Sequence, residues 1–153
     1  MKQSIGLANA LLLIFLTAFF SRADAQLFHF ETGLQTKPDG NTWSISLTEI
    51  ERLPRISVIE VKTVGRPQSV GGSIALGCMI MKLARERDWR YVAQTLAAEA
   101  KKIGGLEKLD DDPVKTLGDD FAGIDVTKNI DVEKLGWLCD AIARRDGPLV
   151  NGQ

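Results

Sequence analysis

A chain of 153 residues with 19 basic and 20 acidic side chains carries a formal charge of −1, which gives it no bulk electrostatic reason to seek nucleic acid or an anionic membrane. With 44 % hydrophobic and 25 % charged residues it reads as globular rather than disordered. One histidine and two separated cysteines cannot complete a standard structural zinc site, which takes four nitrogen or sulfur ligands.

The N-terminal segment reads as a leader. Lys2 precedes an apolar run from Ile5 to Phe20. Ser21 and Arg22 interrupt the run, and Ala23-Asp24-Ala25 sets small residues two apart just before Gln26. A basic head, an apolar segment and a small-x-small site are the layout of a secretory signal peptide. The apolar run falls short of the roughly 20 residues that a helix needs to cross a bilayer. No cysteine follows it until Cys78, which argues against a lipid anchor. Removal of residues 1–25 leaves 128 of the 153, enough chain for one core. The expected product is therefore exported, periplasmic or extracellular, with no stable membrane insertion after leader cleavage. It comprises one domain over residues 26–148 and a frayed tail over 149–153.

Within the domain, Leu27, Phe28 and Phe30 around His29 mark a short strand, and Lys37–Asn41 is a turn by composition. Thr42–Leu47 alternates, with Trp43, Ile45 and Leu47 on one side and Thr42, Ser44 and Ser46 on the other, the pattern of a half-buried strand. Glu49–Pro54 reads as a connection and Ile56–Val64, rich in β-branched residues, as a second strand antiparallel to the first. Gly65–Gly72 is a loop, and Ser73 is placed to cap a helix that runs to about Arg87. That helix is apolar nearly all round, which predicts a buried central position.

Trp89–Leu96 has two readings. It is a strand, or it is part of a helix capped by Asp88 and ended by Gly104. A strand through about Leu96 is preferred, followed by a second strand or short helix before Gly104-Gly105. Asp112 caps a short helical turn with Pro113 at its first position. Residues 118–130 read as a loop. Asp131 caps a last helix to about Arg145, with a stripe of Val132, Leu135, Leu138, Cys139 and Ile142. The fold expected from these elements is α+β: a small, mainly antiparallel sheet of three to four strands, covered by a buried central helix and a C-terminal helix. Cys78 and Cys139 both fall on core-facing positions. A disulfide between them suits an oxidising compartment, and two buried thiols are the other reading.

The search for chemistry is sparse. His29 has no partner in sequence that would make it a general base. Asp110–Asp112 and Asp119-Asp120 lack the spacing of a calcium loop. The segment from Gly65 to Ser73 joins a strand to a helix. Arg66, Ser69, Gly71, Gly72 and Ser73 are its candidate ligand-binding residues, with backbone N–H groups converging on an anion. The spacing is not that of a nucleotide phosphate loop, and the other reading is a connection whose glycines let the helix pack close to the sheet. Trp43 and Trp89 belong to the core or to a sugar-stacking platform.

These features imply no catalytic residue, metal or cofactor. They favour non-catalytic binding of a protein or small ligand, with no nucleic acid as partner. A carboxylate-dependent hydrolase is the alternative, and an envelope accessory subunit a further one.

Overall fold

A computed structural model describes residues 26–33, 35–36, 40, 42–65, 70–95 and 101–146. The expected leader at 1–25 and the expected tail at 149–153 lie outside the described residues. Among the described residues there are seven strands: β1 His29–Glu31, β2 Gln35–Thr36, β3 Thr42–Arg52, β4 Ile56–Val64, β5 Tyr91–Gln94, β6 Lys101–Leu106 and β7 Ile130–Asp131. The helices are α1 Val70–Glu86, α2 Pro113–Leu117 and α3 Val132–Asp146, with single 3-10 turns at Asp119–Phe121 and Val126–Lys128. The strands form one antiparallel sheet in the order β1-β3-β4-β6-β5-β7, and β2 also pairs with β3. The sheet curls into a half-barrel and dominates the fold. This corrects the expected small sheet of three to four strands under two helices.

Three local causes hid the larger sheet. First, β3 continues through Glu49 to Arg52, where charged residues read as a connection. Its register with β4 shifts between Glu49 and Glu51, a bulge that leaves the exposed Ile50 without a partner in the ladder. The hairpin closes through Leu53 N–H donating to the Ile56 carbonyl, with Pro54-Arg55 at the tip. Second, Gly104-Gly105 lies inside β6 instead of ending an element. A Cβ on Gly104 would meet the Leu117 side chain at 2.2 Å, and one on Gly105 the Trp89 indole at 2.4 Å. Each glycine admits a large side chain against bare backbone. Third, β1, β2 and β7 span only two or three residues each and carry little periodicity.

Alternation splits the buried residues into two clusters on opposite faces of the sheet. Ile45, Leu47, Ile59, Val92 and Ile103 point to the face that meets α1, where Ala75, Met79, Ile80, Leu83 and Ala84 complete the main core. Ala93 and Leu106 point the other way and are covered by Leu117 of α2, Phe121 and Ile124. The stretch expected to be a loop at 118–130 thus supplies a lid for the second face. Asp112 accepts from the N–H groups of Val114 and Lys115 at the start of α2, and Asp131 from those of Glu133 and Lys134 at the start of α3.

Cys78 of α1 and Cys139 of α3 form a disulfide with their Cα atoms 5.6 Å apart. The bond closes a 61-residue separation, which in the chain-entropy account stabilises the fold by up to about 4 kcal/mol.

Candidate functional site

The sequence-predicted loop site is only partly in view. Arg66 and Ser69 lie outside the described residues. α1 already includes Val70, so Gly71, Gly72 and Ser73 sit in its first turns and Ser73 is not its cap. Gly72 is buried while Gly71 and Ser73 are exposed. Gly65 has φ +73, and a Cβ there would come within 2.3 Å of the Thr42 carbonyl oxygen, so this glycine serves the backbone turn out of β4.

The other candidates are accounted for locally. His29 is exposed, with Nδ1 2.9 Å from Thr48 Oγ1 across the β1–β3 ladder. Asp111 accepts from the Glu107 and Lys108 N–H groups, and Asp120 pairs with Lys102 at 2.5 Å. Among the described residues, no three His, Cys, Asp or Glu side chains group as metal ligands. Trp43 is buried in the core.

The strongest electrostatic feature is one that the sequence reading missed. Glu49 follows Trp43, Ile45 and Leu47 in strict alternation, so it points inward, and its side chain is fully buried. Five donors converge on its carboxylate. Oε1 accepts from Ser57 Oγ and from Arg87 Nη1 at 3.0 Å. Oε2 accepts from the Phe28 N–H at 3.1 Å, from Arg52 Nε at 2.9 Å and from Arg52 Nη2. Burial alone pushes the Glu49 carboxyl up, but the hydrogen bonds from Arg52, Ser57 and the Phe28 amide outweigh it and bring the group down to about 2. The same pairing raises the Arg52 guanidinium above its usual range.

Arg87 completes this centre. Its side chain is 8 % exposed, and it also donates to Ser57 Oγ and to the carbonyls of Leu53 and Pro54 at the hairpin tip. The centre therefore fastens β1, the β3 bulge, the β3–β4 hairpin and the end of α1 to one another. A carboxylate held ionised by so many donors is a structural anchor and has no proton to give near neutral pH.

α1 ends beside it in a left-handed cap. Asp88 has φ +55, its N–H donates to the Arg85 carbonyl, and Trp89 N–H donates to the Ala84 carbonyl at 2.9 Å. This is the Schellman arrangement, with aspartate where glycine is usual. It sets Trp89 flat against Gly105 with the Arg87 guanidinium 4.5 Å from the ring centroid. Both the glycine backbone and the guanidinium engage the indole, so Trp89 serves packing more than sugar stacking.

Two open clefts flank this corner. One, of about 460 Å³, lies between Arg55, Trp89, Arg90 and Glu107. The other, of about 410 Å³, lies between Arg85, Trp89, Arg90 and Glu133. Arg55 pairs with Glu107 at 3.5 Å and Arg90 with Glu133 at 3.4 Å, Arg85 reaches Asp140 at 3.2 Å, and Asp88 lines both clefts, so acidic and basic groups balance in each. Such a rim suits a polar, overall neutral partner and offers no concentrated charge.

No known protein family, no curated protein and no solved structure matches the chain.

Proposed function

We propose that this chain is a small exported domain, tied by one disulfide, that works by non-catalytic binding of a protein or small ligand in the periplasm or outside the cell. The observation that carries the reading is the Cys78–Cys139 bridge. Disulfides persist in oxidising compartments, and the leader pattern at residues 1–25 points the same way. The binding part rests on the corner around Trp89, where paired charges and a half-buried indole line two open clefts. The one fully buried carboxylate among the described residues is already committed to structure.

The test is expression of the full chain with a C-terminal tag in a secreting host, followed by fractionation and N-terminal sequencing. The expected product starts at Gln26 and is recovered outside the cytoplasm. A cytoplasmic product that keeps Met1 and Lys2 would overturn the reading.

A further inference from the structure

The two sides of α3 are chemically different. At about 3.6 residues per turn, Val132, Leu135, Gly136 and Cys139 share one face. Val132 and Gly136 are buried, Leu135 packs on the main core, and Cys139 is bonded to Cys78. The opposite stripe carries Lys134, Trp137, Leu138 and Arg144. Trp137 is 66 % exposed, more than any other large hydrophobic residue described, and Leu138 is 42 % exposed.

The described charges of the helix are sorted between these sides. Glu133 and Asp140 stand at the flank nearest α1, and each is engaged by an arginine, Arg90 and Arg85 respectively. Lys134 and Arg144 have no ion-pair partner among the described residues. Among the described side chains of the helix, Lys134 and Arg144 therefore lie on the stripe of the exposed indole, while Glu133 and Asp140 are each paired with an arginine. A near-zero charge on the whole chain conceals this local excess.

We propose that this stripe of α3 docks the domain on an anionic lipid surface. Trp137 and Leu138 would enter the boundary between headgroups and acyl chains, and Lys134 and Arg144 would reach the lipid phosphates. Indoles favour that boundary because one edge is polar, and long basic side chains lie along apolar surface with the charge in the headgroups. The stripe is convex and narrow, which a fluid surface accommodates. A protein partner of ordinary size needs about 800 Å² of matched surface on each side. A second copy of the chain would set Lys134 and Arg144 against like charges across a two-fold axis. The contact is peripheral, since no described helix is long and apolar enough to cross a membrane. The inference names a partner for the domain proposed above, and its test does not depend on the compartment.

The test is co-sedimentation of the purified oxidised protein with vesicles of phosphatidylcholine alone or mixed equally with phosphatidylglycerol, read together with tryptophan fluorescence. Binding to the mixed vesicles is expected, with a blue shift, and it weakens as salt rises. Lys134→Gln with Arg144→Gln should lower the partition coefficient by roughly 10- to 30-fold. Trp137→Ala should abolish the blue shift, and Trp137→Phe should keep most of the binding. Circular dichroism of the same variants checks that the fold is intact. Equal binding to both vesicle types, no binding at low salt, or binding unchanged in the variants would overturn the proposal. So would light scattering that shows a dimer broken by Trp137→Ala.

Discussion

The Glu49 centre and the outer stripe of α3 handle charge in opposite ways. Inside, the Glu49 carboxylate meets five donors from Phe28, Ser57, Arg52 and Arg87, and the second positive charge is balanced by Glu86, 3.3 Å from Arg52. Outside, Lys134 and Arg144 have no ion-pair partner among the described residues and share a helix face with Trp137. A charge taken out of water must be matched or the fold loses several kcal/mol, whereas a solvated one costs the fold almost nothing and stays available to a partner. The contrast separates residues that hold the domain together from residues free to act.

Mutation sharpens that contrast, beginning with the anchor. Glu49→Ala strands Arg87, which is 8 % exposed, and should destabilise the domain by about 3–5 kcal/mol in denaturant titration. A loss below about 1 kcal/mol would mean that the centre is dispensable. The pH dependence follows from the same group. Its folded value of about 2 lies below the ordinary 4.5. The stabilisation is thus complete above pH 4.5 and is lost as pH falls through about 2. The difference corresponds to about 3 kcal/mol. Glu49→Gln should flatten the stability profile over that window.

Cys139→Ser comes next, with a loss of up to about 4 kcal/mol under oxidising conditions and far less under reducing ones. Equal losses in both would assign the role of Cys139 to packing. Gly105→Ala should cost about 1–3 kcal/mol, because the new methyl group meets the Trp89 indole at 2.4 Å. An unchanged melting temperature would show that Trp89 is free to leave Gly105. At the small end, Trp137→Ala and Lys134→Gln should each leave stability within about 0.5 kcal/mol of the parent. A larger loss would show that the α3 stripe is already covered by the chain itself.

How much of this was legible in the sequence depends on how local the signal is. The alternation of Trp43, Ile45 and Leu47, the β-branched run of β4, the apolar body of α1, the caps at Asp112 and Asp131 and the cysteine pair are all visible in short windows, and each took its expected place. Glu49 was misplaced because its inward position is favourable only once Arg52, Ser57 and Arg87 surround it, and Arg87 lies 38 residues away. Carrying the alternation of β3 one step further would have found it. Gly104-Gly105 looked like a stop because a glycine pair weakens a strand. Its place within β6 is explained by Leu117 and Trp89, which approach from opposite faces. The second apolar cluster was hidden for a related reason: Phe121 and Ile124 lie in a 3-10 turn and a loop, which carry no long period. The loop candidate at Arg66–Ser73 came from composition alone, and the start of α1 at or before Val70 places three of its five residues inside a helix.

The central claim is that the folded domain exists oxidised, outside the reducing cytoplasm. It is tested most directly by alkylating the protein in intact cells before lysis, then mapping its peptides without reductant. The account predicts one linked species joining the peptides of Cys78 and Cys139. Recovery of both cysteines alkylated, on separate peptides, would contradict it.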